Sequence, residues 1–245
     1  MSDTSITNDT ALMIFSRTAK SEVAFKDLAS TDSSNFAVSD FLYKRAIKAA
    51  NKTKLPYFII NENHQIGSTF GEKFSNAFND LYNLGYKYVL ALGNDCPQLT
   101  PADILNARTK LKACGAVVGP TIQKGAYLIG MSANIFDRIK FSKIDWQTEL
   151  TLTSLKTYLR LFNNEIIEIL PLKHEINNIS DWSLALPKLK YTLCNIILNL
   201  LQTGKSATFG FFVSSKTNIL LIGESFLRGP PKTTLTLLQL LFILF

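Results

Sequence analysis

With 245 residues, 47% of them hydrophobic and 18% charged, the chain has the makeup of one sizeable globular domain with an appendage, and this excludes a disordered chain. Its net charge of +7 comes from Lys and Arg residues that never run three together. No nucleic-acid track is therefore expected, and small anionic ligands or a mildly basic surface are.

The first ten residues are polar and acidic, without a basic start or a long apolar run, so no signal peptide is expected. Residues 11–16 (ALMIFS) read as a buried strand, and 39–52 have helical periodicity. Residues 57–60 form a second short strand. Thr69 with Glu72 then makes a capping box for a helix that carries Phe70, Phe74, Phe78 and Leu81 and ends near Gly85. Residues 88–92 are the third strand. Thr100-Pro101-Ala102-Asp103 opens the next helix, which stops before Gly115. Strands are expected at 116–118 and 127–131, a helix at 147–162 and a strand at 165–172. Strands alternating with helices at these lengths predict a mostly parallel α/β sheet.

Beyond about residue 185 the character changes. Residues 188–202 read as an amphipathic helix, 207–213 and 218–222 as a hairpin, Arg228-Gly229-Pro230-Pro231 as a rigid turn and 235–245 as an apolar tail. The tail is about a dozen residues, short of the roughly 20 that span a bilayer, so no transmembrane segment is expected. We therefore divide the chain into a main domain, 8–187, and an extension, 188–245. The extension reads either as a cover for a sheet edge of its own chain or as the surface of a homodimer. Cys96, Cys114 and Cys194 are widely spaced and form no Cys-x-x-Cys, which argues against a disulfide framework and fits a cytoplasmic protein.

The chemistry centres on Leu90-Ala91-Leu92-Gly93-Asn94-Asp95-Cys96-Pro97, an apolar strand that ends in a carboxylate. In α/β sheets ligands bind outside the carboxyl ends of strands, where a charge serves a ligand or a metal rather than the core. The helix start at Thr100 lies close by and could offer backbone N–H groups to an anion. Gln65, Gly67 and Gly71 lie in a loop leading into a helix, where glycines either admit a phosphate or sugar or form a tight turn. Arg17, with Lys20 and Lys26 nearby, is the candidate phosphate contact after the first strand. His64 and His174 read as surface histidines, Cys96 as a small buried filler, and no Ser or Cys motif marks a nucleophile.

Taken in order, Gln65-Ile66-Gly67, Phe70-Gly71-Glu72-Lys73, the LALGNDCPQLTPADI run, Gly119-Pro120, Tyr127-Leu128-Ile129-Gly130 and Trp146-Gln147-Thr148 resemble the radical-SAM/selenodomain-associated transferases of the nucleotide-diphospho-sugar transferase superfamily. The resemblance covers roughly residues 11–186. It implies a three-layer α/β/α GT-A-like fold and a transferase that takes a nucleotide-activated, NDP-sugar-type donor. Asp95 would be the catalytic acid and would hold Mg²⁺ or Mn²⁺. Arg17, Gln65, Gly67, Gly71, Asn94, Gln123, Lys124, Gly125 and Trp146 would contact nucleotide or substrate.

This chain also departs from the pattern. Gln123 and Lys124 stand where relatives carry an acid and a glycine, and Glu175-Ile176-Asn177 replaces an Asp-Ile-Asp run. Gln cannot act as a base or balance a dication. Lys124 could instead supply a fixed positive charge to a diphosphate, and Glu149 is the candidate substitute for the second acid. Two further readings stay open: a catalytically impaired nucleotide- or partner-binding member of the fold, and a nucleotidyltransferase acting on a sugar phosphate.

Overall fold

The computed structural model describes residues 8–162 and 168–202, together with the strands at 210–213 and 219–222. In chain order the elements are β1 (Thr10–Phe15), α1 (Ala19–Glu22), α2 (Asp32–Lys52), β2 (Tyr57–Ile60), α3 (Phe70–Asn83) and β3 (Tyr88–Leu92). After these come α4 (Pro101–Cys114), β4 (Ala116–Pro120), β5 (Ala126–Ser132), α5 (Arg138–Ser142), α6 (Thr151–Phe162) and β6 (Glu168–Ile169). Last come α7 (Trp182–Ala185), α8 (Tyr191–Gln202), β7 (Gly210–Val213) and β8 (Ile219–Ile222).

The main sheet has the order β2-β1-β3-β5-β4-β6. β1 pairs in parallel with both β2 and β3, and β4 in parallel with β6. Only β5 is reversed, lying antiparallel to β3 and to β4. Its direction follows from the short turn between Pro120 and Ala126, since a parallel return needs a crossover of a dozen or more residues. The expected mostly parallel sheet thus contains one antiparallel strand inside it.

Side-chain alternation along β1 divides the core between two faces. Ala11, Met13 and Phe15 pack with Phe74 and Phe78 of α3, Phe141 of α5 and Leu155 and Leu159 of α6. Leu12 and Ile14 pack with Ala46, Ala49 and Ala50 of α2 and Ile104, Ala107 and Leu111 of α4. A third cluster joins Val38 and Leu42 of α2 to Trp182 of α7 and to Cys194, Ile197, Leu198 and Leu201 of α8. The first helix of the extension therefore packs on the main domain's α2. β7 and β8 pair antiparallel, Gly210 opposite Ile222. The Arg228–Pro231 turn and the apolar tail lie outside the described residues, and with them most of the surface considered for a homodimer. Among the described residues no helix is long and apolar enough to cross a membrane.

Two helix starts differ from the periodicity. α2 begins at Asp32 rather than Ser39, capped by the Thr31 side chain, which accepts from Ser34 N–H. Its first turns bury Ser34 and Asn35, whose polarity masks the pattern. Asn35 has a reason to be there: its Oδ1 accepts from Leu28 N–H at 2.8 Å and its Nδ2 donates to Lys26 O at 2.9 Å. α6 starts at Thr151 rather than 147, because the hydroxyls of Thr148 and Thr151 both donate to Asp145 O and hold the preceding residues in a turn. Gln147 there has φ +60°.

Candidate functional site

A cavity of about 650 Å³ opens at the carboxyl ends of β1 and β3, a size suited to a small-molecule ligand. The end of β1 contributes Ser16 and Arg17, and the end of β3 contributes Gly93, Asn94 and Asp95. The β4–β5 turn forms the opposite wall with Gln123 and Gly125; residues 146–149 and Glu175 with Asn177 complete it. Of the residues expected to form the site, Arg17, Gln65, Asn94, Asp95, Gln123, Gly125, Trp146 and Glu149 line this one cavity. Gly67, Gly71 and Lys124 do not.

One wall is a chain of alternating charges. Arg17 Nη1 lies 3.6 Å from Glu22 Oε2, Lys26 Nζ lies 3.3 Å from Glu22 Oε1, and Lys26 Nζ donates to Asp95 Oδ2 at 2.9 Å. The side chains of Glu22, Lys26 and Asp95 are only 6%, 15% and 26% exposed, so these are not solvent-screened surface pairs. Burial works against the Lys26 ammonium, but Asp95 and Glu22 together overcome it and hold its pKa above the ordinary lysine range. Arg17 also stacks on Phe25, 3.9 Å from the ring centroid. Lys20, by contrast, is exposed.

Facing this chain is Glu175, which was not among the residues expected to form the site and stands in the altered Glu175-Ile176-Asn177 run. Burial and the nearby Asp95 carboxylate push its pKa up to about 7. Its Oε1 accepts from Asn177 Nδ2 at 3.0 Å. The segment is fixed to β3 by Ile176 N–H, which donates to Asp95 O at 2.9 Å. Gln123 supplies the second clamp: its Nε2 donates to Glu175 O at 2.9 Å while its Oε1 accepts from Glu175 N–H at 3.4 Å. An amide can bond both ways to one residue's backbone, whereas a carboxylate only accepts. The two replacements at Gln123 and Asn177 thus position a different carboxyl, Glu175.

The other expected residues have clear local roles. Gln65 Nε2 donates to Ser16 O and Ile60 O, tying together the ends of β1 and β2 at the cavity floor. Glu149 and Lys124 pair with each other at 2.9 Å, with Glu149 84% exposed at the rim. That hydrogen bond and charge hold the Glu149 carboxyl below its usual range, which makes it a poor proton acceptor. Trp146 sits between Phe74 and Phe141, with ring centroids 5.2 and 5.0 Å away, and donates from Nε1 to Phe141 O. The N-terminus of α4 is closed by its own capping box, in which Asp103 Oδ2 accepts from Thr100 N–H.

Gly71 serves packing rather than phosphate approach. A Cβ there would lie 2.0 Å from Ser142 O and 2.8 Å from Trp146 Cδ1. Gly67, at φ +138°, makes the turn before α3. Gly71→Ala is expected to cost about 1–3 kcal/mol, because the overlap with backbone outweighs the modest helix gain of alanine. The checks are a lower urea midpoint and a shifted Trp146 fluorescence; an unchanged midpoint would show that α3 and α5 part easily.

His64 is exposed as expected, whereas His174 is buried. Gln98 reaches it, with Oε1 accepting from His174 N–H at 2.7 Å and lying 3.1 Å from Nδ1. Burial and Lys188 hold its imidazole below the ordinary histidine range. Cys96 is a buried filler whose thiol burial pushes up to about 12.

The side chains do not fit a resident Mg²⁺ or Mn²⁺ at Asp95. Asp95 Oδ2 is taken by the Lys26 ammonium. Among the described residues no three His, Cys, Asp or Glu side chains are grouped to hold one.

No curated protein matches this chain. A solved "putative nucleotide-diphospho-sugar transferase" from Desulfovibrio desulfuricans G20 superposes with a TM-score of 0.64 at 17% identity, over 80% of this chain and 97% of that one. Two further structures align at 9% identity. One is the Mycobacterium tuberculosis rv0371c homolog from Mycobacterium sp. strain JC1, with a TM-score of 0.43 over 78% of this chain and 98% of that one. The other is CMP:2-keto-3-deoxy-manno-octonic acid synthetase complexed with CTP, with a TM-score of 0.37 over 69% and 93%. Likenesses that low add nothing to the assignment. The chain has the α/β fold of the Desulfovibrio protein, and its residues 37–148 match the family described as "Uncharacterized protein conserved in bacteria (DUF2064)".

Proposed function

We propose that the cleft binds a nucleotide-activated sugar and that the chain is a GT-A-like glycosyltransferase, akin to the radical-SAM/selenodomain-associated transferases. The observation that carries this reading is Glu175, a carboxyl poised near neutral pH inside a nucleotide-sized cavity, opposite the cations Arg17 and Lys26. A group that exchanges its proton near pH 7 suits the transfer step. There an acceptor hydroxyl oxygen forms a bond to the anomeric carbon, the bond from that carbon to the diphosphate oxygen breaks, and its electron pair leaves with the diphosphate. The hydroxyl proton passes to Glu175. Glu149, already bound to Lys124 at the rim, is less suited to take it. The departures at Gln123 and Asn177 support this reading over an impaired site, since both amides hold Glu175 in place.

The test is a thermal-shift panel of nucleoside diphosphates and their sugar conjugates. One base is expected to raise the Tm by roughly 5–10 °C at a hundredfold excess over its dissociation constant. The sugar conjugate should then be consumed by the wild type, while Glu175→Gln binds it without turnover. If no nucleotide shifts the Tm, the reading fails. Release of pyrophosphate from a nucleoside triphosphate and a sugar phosphate would move the chain to the nucleotidyltransferases.

A further inference from the structure

The Lys26 ammonium stands where a divalent ion would be sought. Its Nζ lies 2.9 Å from Asp95 Oδ2, 3.3 Å from Glu22 Oε1 and 3.3 Å from Ile176 O. Two carboxylates and a carbonyl around one cation are the oxygen set that hard dications take. The distances are those of an ammonium. The oxygens converge from three places: α1, the end of β3 and the segment after β6. The backbone that carries each is held by bonds that do not involve the Lys26 side chain. The start of α1 is held by Thr18, whose backbone N–H and hydroxyl both donate to Glu62. Ile176 is held by its bond to Asp95 O, and the Lys26 backbone by Asn35. The scaffold therefore brings the three segments together, and the lysine reaches between them.

We infer that Lys26 is the built-in cation of this cleft, that it takes the place of a divalent ion, and that ligand binding needs no added metal. A dication that shared Asp95 Oδ2 with Glu22 Oε1 and Ile176 O would have to displace an ammonium that two carboxylates hold. On the reading of the cleft as a nucleotide-sugar site, on which this consequence rests, charge developing on the departing diphosphate is met by Lys26 and Arg17.

The experiment titrates the full chain with Mn²⁺ and follows the paramagnetic resonance of the free ion. Wild type is expected to take up none at this site up to about 1 mM. Lys26→Ala is expected to bind one ion per chain and to gain thermal stability from it, and adding Asp95→Asn should weaken that uptake at least about tenfold. If Lys26→Ala does not fold alone, Mn²⁺ should restore its folding. Lys26→Gln, which keeps a donor and loses the charge, is the second variant. Uptake by wild type that Asp95→Asn abolishes would overturn the inference; so would the absence of uptake by both Lys26 variants. A wild-type Tm gain from a nucleoside diphosphate should be equal in EDTA and in Mn²⁺, and a gain confined to Mn²⁺ would also overturn it. Absence of any nucleotide response, with Mn²⁺ uptake as expected, would sink the nucleotide reading and leave the place of Lys26 intact.

Discussion

Lys26→Met is expected to lower the unfolding free energy by about 3–5 kcal/mol, the cost of stranding buried carboxylates without their cation. Glu22 bears most of this cost, because its side chain is 6% exposed and its remaining partner, Arg17, is 3.6 Å away. Asp95 is more open and loses its 2.9 Å bond to the ammonium. Equilibrium urea unfolding measures the loss directly. The triple variant Glu22→Gln, Lys26→Met, Asp95→Asn should recover most of it, because it removes the stranded charges along with the cation. A triple variant as weak as Lys26→Met would trace the loss to packing of the lysine stem instead.

Glu175→Gln is expected to stabilise the fold, against the usual trend for point changes, and to do so only at higher pH. The folded carboxyl has a pKa of about 7, above the ordinary 4.5. Between those values the folded chain keeps a proton that the unfolded chain has released, so wild-type stability falls as pH rises through that window and is lowest above it. Gln carries no such penalty. Its advantage should be near zero at pH 4 and reach roughly 2–3 kcal/mol by pH 8. Unfolding midpoints of both proteins at pH 4, 6 and 8 check this. A stability difference that does not vary with pH would mean that Glu175 titrates as an ordinary surface acid.

These two residues mark where sequence reasoning stopped. Asp95 could be found from the sequence because an apolar strand ending in a lone acid is a local pattern. Glu22 and Lys26 carry no such mark: they sit in a one-turn helix and the bend after it, where a charge is ordinarily solvated. Lys26 is met there by Asp95, 69 residues away, and by Ile176, 150 residues away. Glu175 was visible as a residue but read as the remains of a motif. Its value depends on Gln123, which clamps its backbone across a separation of 52 residues.

Local signals determined much of the fold. The alternation of short apolar runs and capped helices placed β1, β2 and β3, the capping boxes at Thr69 and Thr100, and the paired strands of the extension. Each depends on neighbours within a few residues, and that is why one sequence is enough to read them. Tertiary structure alone decided which groups face one another: a lysine between Glu22 and Asp95, an amide clamped on the Glu175 backbone, a glycine against Ser142 and Trp146. Asp95 was marked by its own strand, but its partners were chosen by contacts that exist only once the sheet has closed around them.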